Sequence, residues 1–261
     1  MLRPREGYDI ELVSFALEIT PDVDISWASD VAGNMVATAV FAAMTDSLII
    51  ESRSVLSVGA VAWPVFDIAA SAIDYPFRYS DGDWTDLGVL TVMQYPDEAN
   101  RLHDWAQGFV GGNPTDTLAL LKDLSAGVPN WIAYQARDDE GTQSPLETLD
   151  RGWGSCRDFA VLFVEAARSL GFGARIVSGY LDNRAENLIG QNAAGSTHAW
   201  AEVFVPGAGW ITFDPTNRSV GGFNLVPVAV GRHIHQVVPV SGSYAGPANM
   251  LDYMTVEVEL R

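Results

Sequence analysis

Cysteine occurs once in this sequence, at position 156. A single thiol forms no internal disulfide and builds no multi-cysteine zinc site, which leaves packing, reactivity or an intermolecular link as its possible roles. Bases are scarce too: 15 Lys and Arg against 33 Asp and Glu give a formal charge of −18. That excess repels phosphate backbones and anionic lipid, so neither a nucleic-acid partner nor a membrane partner is expected, and it favours neutral or basic substrates. No run reaches the roughly 18 apolar residues of a membrane span. The start, MLRPREGYDIEL, lacks the apolar stretch of a signal peptide, and a cytoplasmic location is expected. There is no phosphate-binding glycine fingerprint and no internal repeat.

What is present suits a packed globular protein: 48% of the 261 residues are hydrophobic and 18% charged. Residues 9–58 read as short strands between turns, with Val13, Phe15, Leu17 and Ile19 alternating on one face and two further runs suggesting an antiparallel meander. Prolines 64 and 76 argue against central strands in the irregular aromatic stretch that follows. The expected division is a β-rich domain over 1–95 and a second domain over 96–261. Helical spacing is predicted for Asp97 to Phe109 and for Thr115 to Ser125, with Pro129 opening a further helical piece. Gly141 to Leu149 reads as loop. A strong helix begins near Cys156, with Phe159, Leu162, Phe163, Ala166, Ala167 and Leu170 on one stripe and Gly171 as its stop. The period then switches to two in ARIVSGYL, THAWAEVFV, WITFDP and the C-terminal DYMTVEVEL, which predicts strands.

Ser155 and Asp158 have the spacing of a capping box, which makes Cys156 the first helical residue. Its sulfur then sits beside unpaired backbone N–H groups and the positive end of the helix dipole, both of which favour thiolate. Gly152 and Gly154 leave room for a substrate backbone. A nucleophilic thiol needs a base, and the base needs an orienting acceptor. His103 lies on a polar helix and reads as a surface residue. His233 and His235 form an HxH pair without a third ligand, so no metal site is expected. His198 lies in an apolar, aromatic strand, and the next strand ends at Asp214 before Pro215. If the hairpin pairs even positions with even positions, imidazole and carboxylate share a face; a slip of one residue separates them.

The blocks GSCRDFAVLFVEAARSLGFGARIVSGYL, THAWAEVFVPGAGW and FDPTN, with the thiol 42 residues before the histidine and the histidine 16 before the aspartate, resemble the transglutaminase-like cysteine protease superfamily in its bacterial branch. The resemblance implies an α+β fold: a papain-like transglutaminase core of helices packed on an antiparallel sheet, behind an N-terminal antiparallel β-domain. It implies Cys156 as nucleophile, His198 as base and Asp214 as the residue that orients it, acting without a cofactor. The implied activity is cysteine-dependent hydrolysis of a peptide, protein or carboxamide substrate through a thioester. Glutamine transglutamination is the alternative within the same chemistry, and a non-catalytic binding module the alternative outside it. Trp153 is a candidate second oxyanion donor, or an aromatic filling a loop gap. Trp200 is a candidate shield for His198, with plain packing its first reading. Asp158 reads as a cap.

Overall fold

Four strands come first in the computed structural model, which describes residues 1–137, 141–183, 195–246 and 251–260: β1 (Ile10–Thr20), β2 (Ile25–Ser29), β3 (Met35–Ala39) and β4 (Ile49–Val58). β1 pairs with β4 and β2 with β3, two antiparallel pairs instead of the expected meander. The cause is β2, a short ISWAS run without clear alternation; it takes β3 as partner and leaves β1 to β4. A bulge between Leu12 and Ser14 turns Val13 outward, so the less exposed set is Leu12, Phe15, Leu17 and Ile19.

The remaining elements are β5 (Asp74–Tyr75), α1 (Asp81–Leu87), α2 (Arg101–Gln107), β6 (Thr115–Asp116), α3 (Thr117–Trp131), β7 (Ala133–Tyr134), α4 (Pro145–Arg151), β8 (Trp153–Gly154) and α5 (Cys156–Ser169), then β9 (Ala174–Leu181), β10 (Ser196–Val205), β11 (Gly209–Asp214), β12 (Ser219–Val220) and β13 (Leu225–Gly231). The last five form one antiparallel sheet in the order β12-β11-β10-β9-β13. Helix α5 lies on one face of this sheet, and α2, α3 and α4 pack on its outer side. That double cover explains why α5 is buried from Asp158 through Arg168 all round, and not only along the predicted stripe.

Three further expectations change. Thr115 to Ser125 and the Pro129 piece are one helix, α3, with Gly127 and Pro129 inside it. Gly127 is there because Phe109 lies against the helix: a Cβ at that position would stand 2.3 Å from the Phe109 ring. Within Gly141 to Leu149, Ser144 caps α4 and Glu147 reaches back to the Ser144 N–H, a capping box in a segment whose polarity reads as loop. The C-terminal DYMTVEVEL forms no strand among the described residues; it has only a bridge at Glu259, and Tyr253, Met254 and Val256 stay exposed. The strand β13 carries Pro227 next to its bulge, as an edge strand can, and this proline hides it from sequence patterning.

The N-terminal region is fastened to that edge. Arg5 N–H donates to the Pro227 carbonyl at 2.7 Å, and the fully buried Asn34 side chain both donates to the Val230 carbonyl (2.8 Å) and accepts from the Val230 N–H (2.9 Å). One amide side chain thus continues the ladder that β13 leaves open. Residues up to 95 also join the main core: Phe66, Ile68, Tyr75, Phe77, Met93 and Tyr95 pack against it. Glu165 of α5 accepts from the Gln94 and Tyr95 N–H groups while it pairs with Arg168 at 2.6 Å, both side chains buried. Removing one partner of such a pair costs about 3–5 kcal/mol. No helix among the described residues is long and apolar enough to cross a membrane.

Gly127→Ala sets two effects against each other: about 1 kcal/mol gained in helix propensity and about 1–3 kcal/mol lost to overpacking against Phe109. Overpacking wins, so urea denaturation shows the variant destabilised. In a Phe109→Ala background, where the ring is gone, the same substitution stabilises.

Candidate active site

Cys156 is the first residue of α5 and is partly exposed. The turn before it is fixed by Asp158, whose fully buried carboxylate accepts from Ser155 N–H (2.8 Å), Ser155 Oγ (2.9 Å), Gln143 N–H (2.7 Å) and Arg137 Nη2 (3.0 Å). Asp158 is therefore the cap expected of it, and it also holds Arg137 and the Gln143 backbone. The two glycines serve the protein's own packing. Gly152 ends α4 in the left-handed region at φ 68°, and a Cβ on Gly154 would meet the Asp158 Cβ at 2.9 Å.

The hairpin has the register that brings the acid to the ring. Glu202 pairs with Thr212 and Phe204 with Trp210, even with even. Asp214 is then opposite Trp200 and diagonal to His198, and His198 Nε2 meets Asp214 Oδ2 at 2.8 Å. With Nε2 so engaged, Nδ1 is the ring nitrogen left for the Cys156 hydrogen bond. The β10–β11 ladder ends at Ala201–Phe213; continued, it would set Ala199 against Pro215, where no N–H is available. Even residues of β10 direct their backbone groups toward β9, as Phe204 N–H does toward Gly173 O. Odd residues face the other way, and the Ala199 N–H is one of the groups that lower the Cys156 pKa.

Electrostatics follow from these contacts. Burial pushes the Cys156 thiol up, but the His198 hydrogen bond and charge, the Ala199 N–H and Arg157 together outweigh it and leave the thiol below its usual pKa. Burial pushes His198 down, but Asp214 and Cys156 hold its pKa at about 9. Both shifts run toward a thiolate–imidazolium pair, the thiol lowered and the imidazole raised. Asp214 Oδ1 also accepts from the Thr216 and Asn217 N–H groups, and Asn217 Nδ2 donates to Asp214 Oδ2 at 2.7 Å. Asn217 is a positioning contact that the sequence reading missed; its place two residues past the DP pair was the available signal.

The other expected residues are placed differently. Trp153 is half-buried, with the Arg151 guanidinium over its ring at 5.5 Å. Trp200 is buried among Val177, Leu181, Leu225 and Val230 and stacks beside His198 at 6.1 Å, so it both packs the sheet and backs the ring. His103 is no free surface residue: its Nδ1 meets the Ser169 carbonyl at 3.0 Å and ties α2 to the end of α5. His233 stacks on Tyr95 and lies tilted against His235 at a 3-10 turn after β13, and no group of three or more potential metal ligands exists among the described residues.

Residues 103–215 match the family model described as the transglutaminase-like superfamily, and residues 1–57 match the bacterial transglutaminase-like N-terminal region. Over residues 103–215 the chain is similar to a transglutaminase-like core. Uncharacterized protein ML0607 of Mycobacterium leprae is 37% identical over 103 residues, 40% of this chain and 36% of that protein. Uncharacterized protein YebA of Bacillus subtilis is 35% identical over 69 residues, 24% of this chain and 9% of that protein. The matched segments are thus a minority of both curated relatives. Among solved structures, one described as a "Putative Cysteine Protease" from Cytophaga hutchinsonii superposes with a TM-score of 0.69 at 21% identity, over 90% of this chain and 75% of that one. This last likeness shows the transglutaminase-like fold.

Iodoacetamide reads the thiolate directly. Its reaction with Cys156 stays fast as pH falls through the range where an ordinary thiol, with pKa near ~8.5, loses reactivity. In His198→Ala the largest lowering influences are gone and burial dominates, so labelling at pH 7 falls about tenfold or more. Equal rates in the two proteins would exclude the ion pair.

Proposed function

We propose that the protein is a cysteine-dependent peptidase or amidase. The observation that carries this reading is the single chain of contacts from a partly exposed sulfur through a buried imidazole to a fully buried carboxylate. The Cys156 thiolate attacks the carbonyl carbon of a peptide or carboxamide, and His198 delivers its Nδ1 proton to the departing amine, leaving a thioester on the sulfur. Water then attacks the thioester carbon while His198 Nδ1 takes its proton; the acid leaves and the thiolate returns. Asp214 keeps Nε2–H bonded and the ring oriented throughout. The Cys156 backbone N–H, among the first of α5 and lacking an intrahelical acceptor, is one donor to the developing oxyanion.

Hydrolysis and transglutamination part only at the second step, where water or an amine meets the thioester. Incubation of a glutamine peptide with a fluorescent amine donor separates them: released acid and ammonia with no label incorporated support the hydrolase, and label on the peptide supports the transferase. Cys156→Ala abolishes either activity.

The expected pH profile is bell-shaped. Turnover falls at low pH as the thiolate is protonated, and falls at high pH as His198 loses its proton near pH 9. Asp214→Asn weakens the hold on the imidazolium, so it lowers kcat by about 10²- to 10⁴-fold and moves the alkaline limb to lower pH. An unmoved alkaline limb would separate His198 from the group that titrates there. Trp153→Phe with undiminished kcat would remove Trp153 as oxyanion donor, since losing such a donor costs about 10²- to 10³-fold.

A further inference from the structure

Arg218 stands in the turn that follows Asp214, and it is one of two non-glycine residues among those described with positive φ, at 55°. A left-handed backbone costs a residue with a long side chain on the order of 1 kcal/mol, where glycine or asparagine would sit without strain. The turn is pinned on the inside by the Thr216 and Asn217 N–H bonds to Asp214, at 3.0 and 3.3 Å. It is pinned on the outside by Arg218 Nη2, which donates to Asn130 Oδ1 at 2.9 Å. Asn130 lies in the last turn of α3, next to Trp131, which is 67% exposed, and just ahead of Tyr134, which is 55% exposed. Tyr134 pairs alongside Gly154, two residues before the thiol, and its ring meets Phe159 of α5 edge-on at 6.0 Å. Burial, then the charges of Cys156 and Asp214, raise the Tyr134 pKa, which sets its phenol near both groups.

Charge separates Arg218 from its neighbours. Arg137 is paired with Asp158 and Arg151 with Glu147, whereas the partner of Arg218 among the described residues is a neutral amide oxygen. An exposed guanidinium on the turn that holds Asp214, in a chain of net charge −18, runs against the global balance. Its planar fork matches a carboxylate, and exposed aromatic rings beside it supply contact area at low entropic cost.

We infer that Arg218, with the exposed faces of Trp131 and Tyr134, forms a subsite for a carboxylate on the substrate, borne by an Asp or Glu side chain near the scissile bond or by a chain terminus. The inference rests on the acyl-transfer reading of the neighbouring thiol, and it reverses the substrate sign expected from net charge.

Binding to the Cys156→Ala protein tests it without turnover. Fluorescein-labelled random hexapeptide pools are titrated by anisotropy: one with a fixed central Glu and an amidated terminus, one with Gln and an amidated terminus, one with Gln and a free terminal carboxylate. A carboxylate-bearing pool binds about tenfold tighter than the Gln-amide pool, and which of the two does so identifies the source. Arg218→Gln removes the preference, and so does Arg218→Gly, which also relieves the backbone. Iodoacetamide labelling of Arg218→Gln with the thiol intact stays at the wild-type rate, a check on folding. Equal binding of the three pools, no binding by any, or a preference that survives Arg218→Gln overturns the subsite. A carboxylate preference in a protein that turns over no peptide would instead overturn the hydrolase reading alone.

Discussion

The backbone N–H of Ala199 has no partner on the next strand because that strand's pairing has ended, and it acts instead on the Cys156 thiol. Pro215, which would lie opposite in register, has no N–H and closes the ladder at Ala201–Phe213. The first half of β10 is left with an open edge, and an open edge is a row of unanswered donors. The N-terminus of α5 brings Cys156 to that gap, where the Ala199 N–H and the His198 ring from the same strand both lower its pKa. The proline thus does two things at once: it frees the donor and it turns the chain so that Asp214 remains on the ring's far nitrogen. Shifted by one residue, the hairpin would keep its sheet and lose the constellation.

Burial works against both charges of this pair. It raises a thiol and lowers an imidazole, so a sulfur and a ring placed alone in this cleft would both be neutral. The contacts reverse the outcome on both sides, leaving Cys156 below its usual value and His198 at about 9. Each partner is the other's support, and Asp214 is the external member that biases the pair toward its charged form. Asp214 is held in turn by backbone N–H groups and by Asn217, which satisfy a carboxylate that is fully buried. The ionised state is built from the sheet outward, so a change at Asn217, which holds Asp214, reaches the sulfur through Asp214 and His198.

Much of this was legible because it is local. Ser155 and Asp158 mark the start of α5, the alternation of THAWAEVFV and WITFDP marks two strands, and the even-with-even condition states which register would join His198 to Asp214. What escaped the sequence is set by tertiary partners. Helix α3 runs through Gly127 because Phe109 occupies the space a side chain would need. Strand β13 hides behind Pro227, and the Asn34 amide that completes its edge comes from almost 200 residues away. Gly152 and Gly154 read as openings for substrate, but one is a helix end and the other a seat for Asp158. His103 and Asn217 were polar letters on ordinary segments; only the fold brings a carbonyl to one and a carboxylate to the other.

Exposure is divided unequally along the contact chain, and the division bears on selectivity. Asp214 and His198 are buried while Cys156 is partly open, so of the three groups the sulfur is the most accessible and water has little access to the ring–carboxylate bond. In such a setting a charge interaction is worth more than at the surface. The rim is where the protein can discriminate, since the interior geometry is committed to holding one ion pair. Three side chains at that rim, Trp131, Tyr134 and Arg218, stand on elements that the site already needs: the end of α3, the strand beside Gly154 and the turn after Asp214. Net charge describes how the whole molecule meets its surroundings from afar, but within one Debye length, about 8 Å at physiological salt, individual groups dominate the local field.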